Sequence, residues 1–374
     1  MIQLFKPSIG DAEIEAVIRV LKSGWLGLGP ETTRFEEEFA QAMDVKHAIA
    51  LNSGTAALHL ALRAVGVRTG DEVIVPALTF VSTAHAVIYN GGIPVFADVC
   101  PDTLNIDVQD VKRKITARTR AIVPVHYGGH PCDMDELHAL AVDQGIAIVE
   151  DAAHACGATY KGRKIGSVSK VTCFSFHAVK NLTTGEGGLV TTTDSEIDAQ
   201  LRRWRWMGIT RDTWSRTTEG EVYAWRYSVE DLGFKCHMHD LAAAIGRVQL
   251  RRLEELNARR RRLVERYNDE LARLPWVECP VQRSYVESSW HIYHVKLDSR
   301  DELIAHLKKN DIAPGVHYYP LHLYPYFQPS DAHLPVTERE WKRIISLPLY
   351  PDMSEDDQGK VIEAIRQFGR ERGL

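Results

Sequence analysis

Between about residues 48 and 193, short apolar runs rich in β-branched side chains alternate with segments of helical periodicity. The runs Ala48–Leu51, Glu72–Pro76, Ile93–Val99, Ala121–Val125, Ile146–Asp151, Val171–Phe176 and Gly188–Thr193 predict strands, nearly continuous in apolar residues as buried parallel strands are. Thr55–Val65, Ser82–Tyr89 and Met134–Asp143 predict helices between them. This alternation predicts an α/β domain in which a mostly parallel sheet of seven strands has both faces covered. The last two runs are joined by the turn-forming stretch Lys180–Gly188 instead of a helix, so they are expected to lie antiparallel.

Beyond Asp240 the apolar positions Ile245, Val248, Leu256, Leu263, Tyr267 and Leu271 recur among charges until Leu274-Pro275. One long helix near 241–273 is predicted, bridging two domains. After it come a strand at Trp290–Leu297, a helix at Asp301–Asn310, a strand at Val316–Tyr319 and a closing amphipathic helix at Ser354–Phe368, the pattern of a smaller α+β domain. The expected division is a large domain over 1–245 and a small one over 246–374. Gly208–Glu230 is an irregular polar stretch rich in Thr, Trp and Arg, and its role is not legible from composition.

Composition narrows the classes. With 374 residues, 44% of them hydrophobic, the chain is long enough for two cores. Forty-five basic residues against fifty acidic ones argue against a globally basic nucleic-acid binder. No segment reaches the roughly 18 uninterrupted apolar residues of a spanning helix, and the start Met1–Pro7 has no basic region followed by an apolar one. The six cysteines are scattered with no CxxC pair, which points to reduced thiols and a cytoplasmic protein away from membranes.

Three places carry candidate chemistry. Asn52-Ser53-Gly54-Thr55 leaves a strand and opens a helix, where free N–H groups favour a phosphate, although Ser53 or Thr55 also reads as an ordinary cap. Glu150-Asp151-Ala152-Ala153-His154 puts carboxylates at the carboxyl end of a buried strand, where open α/β sheets bind ligands; Asp151 as a helix cap is the plainer alternative. Ser175–Gly188 delivers Ser175 and Lys180 into a Gly-rich turn. A lysine held there is partly desolvated, which lowers its pKa and favours Schiff-base chemistry, whereas most lysines are simply solvated.

Other motifs fail. Gly157–Lys164 misses the P-loop spacing, and neither GxGxxG after the first strand nor GxSxG is present. Adjacent ligand types in Cys236-His237-Met238-His239 do not converge on one ion, so no metal site is expected. Arg259–Arg262 reads as the solvated face of the long helix.

In order, Ser53-Gly54-Thr55, Pro76–Phe80, Glu150–His154 and Ser175-Phe176-His177 followed by Lys180 resemble the DegT/DnrJ/EryC1/StrS family of pyridoxal-phosphate-dependent sugar aminotransferases. The resemblance runs from Ser23-Gly24-Trp25-Leu26 to Ser346–Pro351. It implies a fold-type I aminotransferase, with pyridoxal 5′-phosphate as cofactor, working as a homodimer whose sites draw on both subunits. Lys180 is implied as the residue that binds the cofactor covalently and carries the proton. Asp151 is implied to pair with the pyridine nitrogen and His154 to lie near the phenolic oxygen. Gly54, Thr55 and Ser175 would hold the phosphate, and Phe80 would stack on the ring.

Where relatives place an Asn that reaches the neighbouring subunit's cofactor phosphate, this chain has Lys235-Cys236-His237-Met238-His239-Asp240, which leaves His237 for that contact. Trp25, His317 and Tyr318 resemble positions on the substrate side. Relatives that remove a sugar hydroxyl carry His in place of the lysine, which Lys180 opposes. The surroundings of Lys180 are similar to the subgroup that aminates C4 of nucleotide-linked keto sugars, with L-glutamate as donor. The alternatives are a 3-keto sugar or keto-cyclitol acceptor, a dehydratase on the same fold, and a non-enzymatic regulator.

Overall fold

The computed structural model describes residues 1–210, 214, 227–327 and 332–374. Most of the Gly208–Glu230 stretch therefore lies outside the described residues. The central sheet is built from β1 (His47–Leu51), β2 (Glu72–Pro76), β3 (Ile93–Ala97), β4 (Thr119–Ile122), β5 (Ala147–Ile148 and Glu150–Asp151), β6 (Val171–Ser175) and β7 (Gly188–Thr192). Its order is β3-β2-β4-β5-β6-β7-β1. The first half of β5 pairs with β4 and the second half with β6, while Asp151 N–H also donates to Pro124 O at 2.9 Å. The sheet is parallel except for β7, which is antiparallel to both neighbours, as the short Lys180–Gly188 connection requires.

Alternation along the strands divides the buried side chains between two faces. Val73, Val75, Val123 and Val190 pack with α3 (Gly54–Ala64) on one side. Ile74, Ile122, Phe174 and Phe176 pack on the other with Phe35 and Phe39 of α2 (Pro30–Met43), which follows α1 (Asp11–Ser23). Also flanking the sheet are α4 (Ser82–Tyr89), α5 (Met134–Gln144) and α6 (Ser195–Trp204). A separate core surrounds β8 (Tyr293–Lys296) and β9 (Ile344–Leu347), covered by α8 (Arg300–Lys309) and α9 (Glu355–Arg372).

The predicted long helix is α7 (Asp240–Leu271), a single run of 32 residues. Ala242, Ala243 and Leu253 enter the sheet's core, and Leu263, Val264, Tyr267 and Leu271 enter the second one. Its start is fixed by His239, whose Nδ1 accepts from Ala242 N–H at 3.2 Å. One expectation is corrected. Val316–Tyr319 is not a strand: only Gly315 bridges to Ser346, and Pro314 and Pro320 withhold the N–H groups that a longer ladder needs. Trp290–Leu297 is likewise extended only over Tyr293–Lys296, because Trp290 takes a left-handed turn with φ 48°.

Candidate active site

The carboxyl edge of the sheet gathers the site. Register places Leu51, Gly188 and Ser175 in one row, so the chain leaving β1 crosses directly over the start of β7. A Cβ at Gly188 would lie 2.2 Å from Ser53 O, and one at Gly54 would lie 2.8 Å from Ser175 Cβ. Both positions need glycine for this close approach. Ser53 then caps α3, its hydroxyl accepting from Ala56 N–H at 3.1 Å. The N–H groups of Gly54 and Thr55 stay outside the helical ladder at the positive end of the helix. Thr55 Oγ1 lies 2.7 Å from Ser82 Oγ of α4, so hydroxyls from two helices meet there.

Asp151 ends β5 and is buried. Its Oδ2 accepts from Thr83 Oγ1 at 2.9 Å and its Oδ1 from Ala153 N–H at 3.1 Å. Burial still holds its carboxyl above the ordinary range, against the pull of these bonds and of Lys180. After β6 the chain turns, Lys180 N–H donating to His177 O at 2.9 Å, which sets Lys180 back over the sheet edge. Burial lowers its amine to about 8, the Asp151 carboxylate opposing.

His154 is buried above Asp151. Its Nε2 lies 3.0 Å from the Tyr318 hydroxyl, and its Nδ1 has no hydrogen-bond partner. Burial, then the charge of Lys180, keeps this imidazole neutral far below its ordinary pKa. His317 is pushed down to about 4 by burial and Lys180, and its Nδ1 lies 2.8 Å from Ser346 Oγ.

These groups line one cavity of about 480 Å³, within the usual range for a small-molecule site. Gly54, Thr55, Phe80, Asp151, His154, Ser175, Lys180, His317 and Tyr318, all singled out in the sequence, line it together. Trp25 and His237 do not line it. The Trp25 indole donates to Leu28 O at 2.9 Å and lies edge-on to Trp214, 4.9 Å between ring centroids. His237 lies edge-on to Trp206 at 4.4 Å, in a segment tied to the end of β1 by Asn52 N–H donating to Cys236 O at 2.8 Å.

Sequence reasoning missed Phe5, Thr83 and His291, which also line the cavity. Thr83 sits in the hydroxyl-bearing stretch Thr79–Thr83 just past a buried strand, a usable signal. Phe5 and His291 gave none, since each reaches the site through tertiary packing alone. The N-terminal segment is held on the smaller core, Ala313 N–H donating to Ile2 O at 2.9 Å and Leu349 N–H to Leu4 O at 3.0 Å.

A buried lysine, a buried acid at a strand end and an open helix N-terminus meet in one cavity, the groups that a pyridoxal-phosphate enzyme of fold-type I needs. Comparison with known proteins gives the finer class. The model of the DegT/DnrJ/EryC1/StrS aminotransferase family matches residues 7–366, and the chain belongs to that family, whose members use pyridoxal phosphate. It is 44% identical to the spore coat polysaccharide biosynthesis protein SpsC of Bacillus subtilis (strain 168), over 97% of this chain and 95% of that protein. The crystal structure of the aminotransferase TlmJ from Streptoalloteichus hindustanus superposes with a TM-score of 0.94 at 35% identity, covering 100% of both chains. Spr1654 from Streptococcus pneumoniae in its PMP form gives 0.93 at 33% identity, covering 98% and 99%. The chain is a sugar aminotransferase of this family.

The cavity fits the cofactor. Asp151 is a buried acid with no salt-bridge partner among the described residues, which suits a pyridine nitrogen carrying a proton. The unpaired Nδ1 of His154 is free for a phenolic oxygen. Gly54 and Thr55 at the start of α3, beside Ser175, suit a phosphate. Among the described residues no cluster of His, Cys, Asp and Glu is arranged to hold a metal ion, and no helix is long and apolar enough to cross a membrane.

Proposed function

We propose that this protein moves the amino group of L-glutamate to a nucleotide-linked 4-keto sugar, giving a 4-amino sugar nucleotide for polysaccharide or glycoside synthesis. The observation that carries the reading is the position of Lys180, half-buried at the carboxyl edge of the sheet with its amine lowered to about 8 beside Asp151. The sequence around it, Ser175 to Gly188, supports C4 as the carbon aminated, and the name of the SpsC relative supports a polysaccharide as the destination.

Bound here, the cofactor supplies an electron-accepting ring next to the amino carbon. Asp151 would keep the ring nitrogen protonated, and the Gly54, Thr55 and Ser175 groups would hold the phosphate. The neutral His154 would serve the phenolic oxygen through its unpaired Nδ1, and Phe80 would pack on the ring. Lys180 Nζ would take the Cα proton of glutamate and give it up to the cofactor within the first half-reaction, water releasing the donor as its keto acid. In the second it would carry a proton from the cofactor to the former carbonyl carbon of the sugar, whose oxygen leaves as water. His317 and Tyr318 face the sugar from the smaller domain.

The working form is a homodimer, in which His237 and Trp25 serve the neighbouring subunit's cavity. Exposed Ile14, Ile18 and Leu21 on α1 and exposed Tyr89 support such a contact. The domain division falls near residue 245, inside α7. Six free cysteines support a reducing cytoplasmic compartment. Lys180→Ala is expected to lose at least about a hundredfold in transamination, as removal of the proton-carrying group predicts, with its melting temperature kept. Wild-type turnover by that variant would sink the reading.

A further inference from the structure

His291 reaches Lys180 from 111 positions downstream, Nζ and Nε2 lying 3.4 Å apart. Its ring is buried and clamped. Phe5 stacks on one side with centroids 5.4 Å apart and planes at 8°, and His154 packs against it at 4.6 Å. On its far side Nδ1 lies 3.1 Å from Asn181 Oδ1.

A chain of bonds decides which nitrogen carries the proton. Ser289 O is a carbonyl and only accepts, so the group 2.7 Å from it is the Asn181 Nδ2 amide. That amide also donates to Asn257 Oδ1 at 2.8 Å, and the orientation of Asn257 is itself fixed by Nδ2 donating to Cys156 O at 3.1 Å. Asn181 Oδ1 is therefore the atom that faces His291, and it needs a donor. His291 carries its hydrogen on Nδ1, which leaves a lone pair on Nε2 directed at the lysine.

We propose that His291 is a positioning residue for Lys180, its Nε2 accepting one N–H of the amine so that the lysine lone pair is held toward the carbon from which it takes a proton. The inference rests on the role given to Lys180 above. Burial, then the positive charge of Lys180 with that of Arg260 beyond it, keeps the His291 imidazole neutral and so an acceptor throughout. Lys180 in turn faces the Asp151 carboxylate.

Two readouts test this. Competitive amine labelling of the cofactor-free protein across pH, read by peptide mass spectrometry, gives the midpoint at which Lys180 becomes reactive. An acceptor on the ammonium stabilises the charged form, so His291→Leu is expected to lower that midpoint by about one pH unit. His291→Gln, which keeps an acceptor oxygen, is expected to stay close to wild type. In the loaded enzyme, single turnovers with 2-deuterated glutamate are expected to slow about tenfold to a hundredfold in His291→Leu, with a larger isotope effect and unchanged cofactor content.

An unchanged midpoint or an unchanged isotope effect in His291→Leu overturns the assignment. Should that variant fail to fold, the nitrogen spectrum of wild-type protein labelled with [15N]histidine decides: protonated Nδ1 supports it, protonated Nε2 overturns it. Activity of Lys180→Ala would instead remove the proposed function, a result that the labelling midpoint does not touch.

Discussion

Lys180 is shifted by burial, and the sign of that shift fixes how the site takes up its cofactor. An amine at about 8 is charged below that pH and nucleophilic above it. Capture of pyridoxal phosphate by the cofactor-free protein is therefore expected to speed up as pH rises from about 7 to 9 and then level off; stopped-flow absorbance reads it directly. A rate that keeps rising to the ordinary lysine range would mean that the cavity does not desolvate Lys180.

At this scale much of the site was legible. Asp151 closes an apolar strand and Lys180 follows one, so the local run announces the end of the sheet where ligands bind. His291 was not legible, because its neighbours in sequence, Trp290 and Ile292, are core residues and nothing local distinguishes it from a packed histidine.

The elements at the end of the cavity proposed to hold the phosphate depend on two segments passing almost in contact. Gly188→Ala adds a methyl where Ser53 O lies 2.2 Å away, and backbone has no easy route aside. The expected cost is about 1–3 kcal/mol in denaturant unfolding, the usual range for overpacking. Weaker cofactor binding should accompany it, because the start of α3 moves with Ser53; equal cofactor affinity would show that Gly54 and Thr55 do not form the phosphate cradle.

The β1–α2–α6 corner beside it is tied by Glu36. Its carboxylate accepts from Ala50 N–H at 2.8 Å and pairs with Arg202 at 2.7 Å and with Arg205. Burial pushes Glu36 up, yet the two guanidiniums outweigh it and hold the carboxyl below its usual range. The seven strands were readable because buried parallel strands announce themselves as apolar runs. Val316–Tyr319 misled because its alternation reads as a strand while the flanking prolines and the turn of His317 and Tyr318 into the cavity prevent pairing.

For the whole molecule, α7 contributes side chains to both cores, and the cavity lies where β5 and β6 of the sheet meet His317 and Tyr318. Trp25 and His237 stand outside that cavity in a single chain, and their proposed use requires a second copy. Sedimentation is expected to give twice the chain mass of 42.1 kDa. A fully active species at the single-chain mass would remove the shared-site reading while leaving the assignments of Lys180 and Asp151 in place.

The central claim is the transfer itself. Loaded with pyridoxal phosphate and given [15N]glutamate with a panel of 4-keto sugar nucleotides, the protein is expected to convert one of them to a product in which the carbonyl oxygen is replaced by a labelled amine. Mass spectrometry of that single mixture reads both the reaction and the acceptor. A product that has lost a hydroxyl without gaining label, or a labelled amine on a 3-keto sugar or keto-cyclitol alone, would contradict the account.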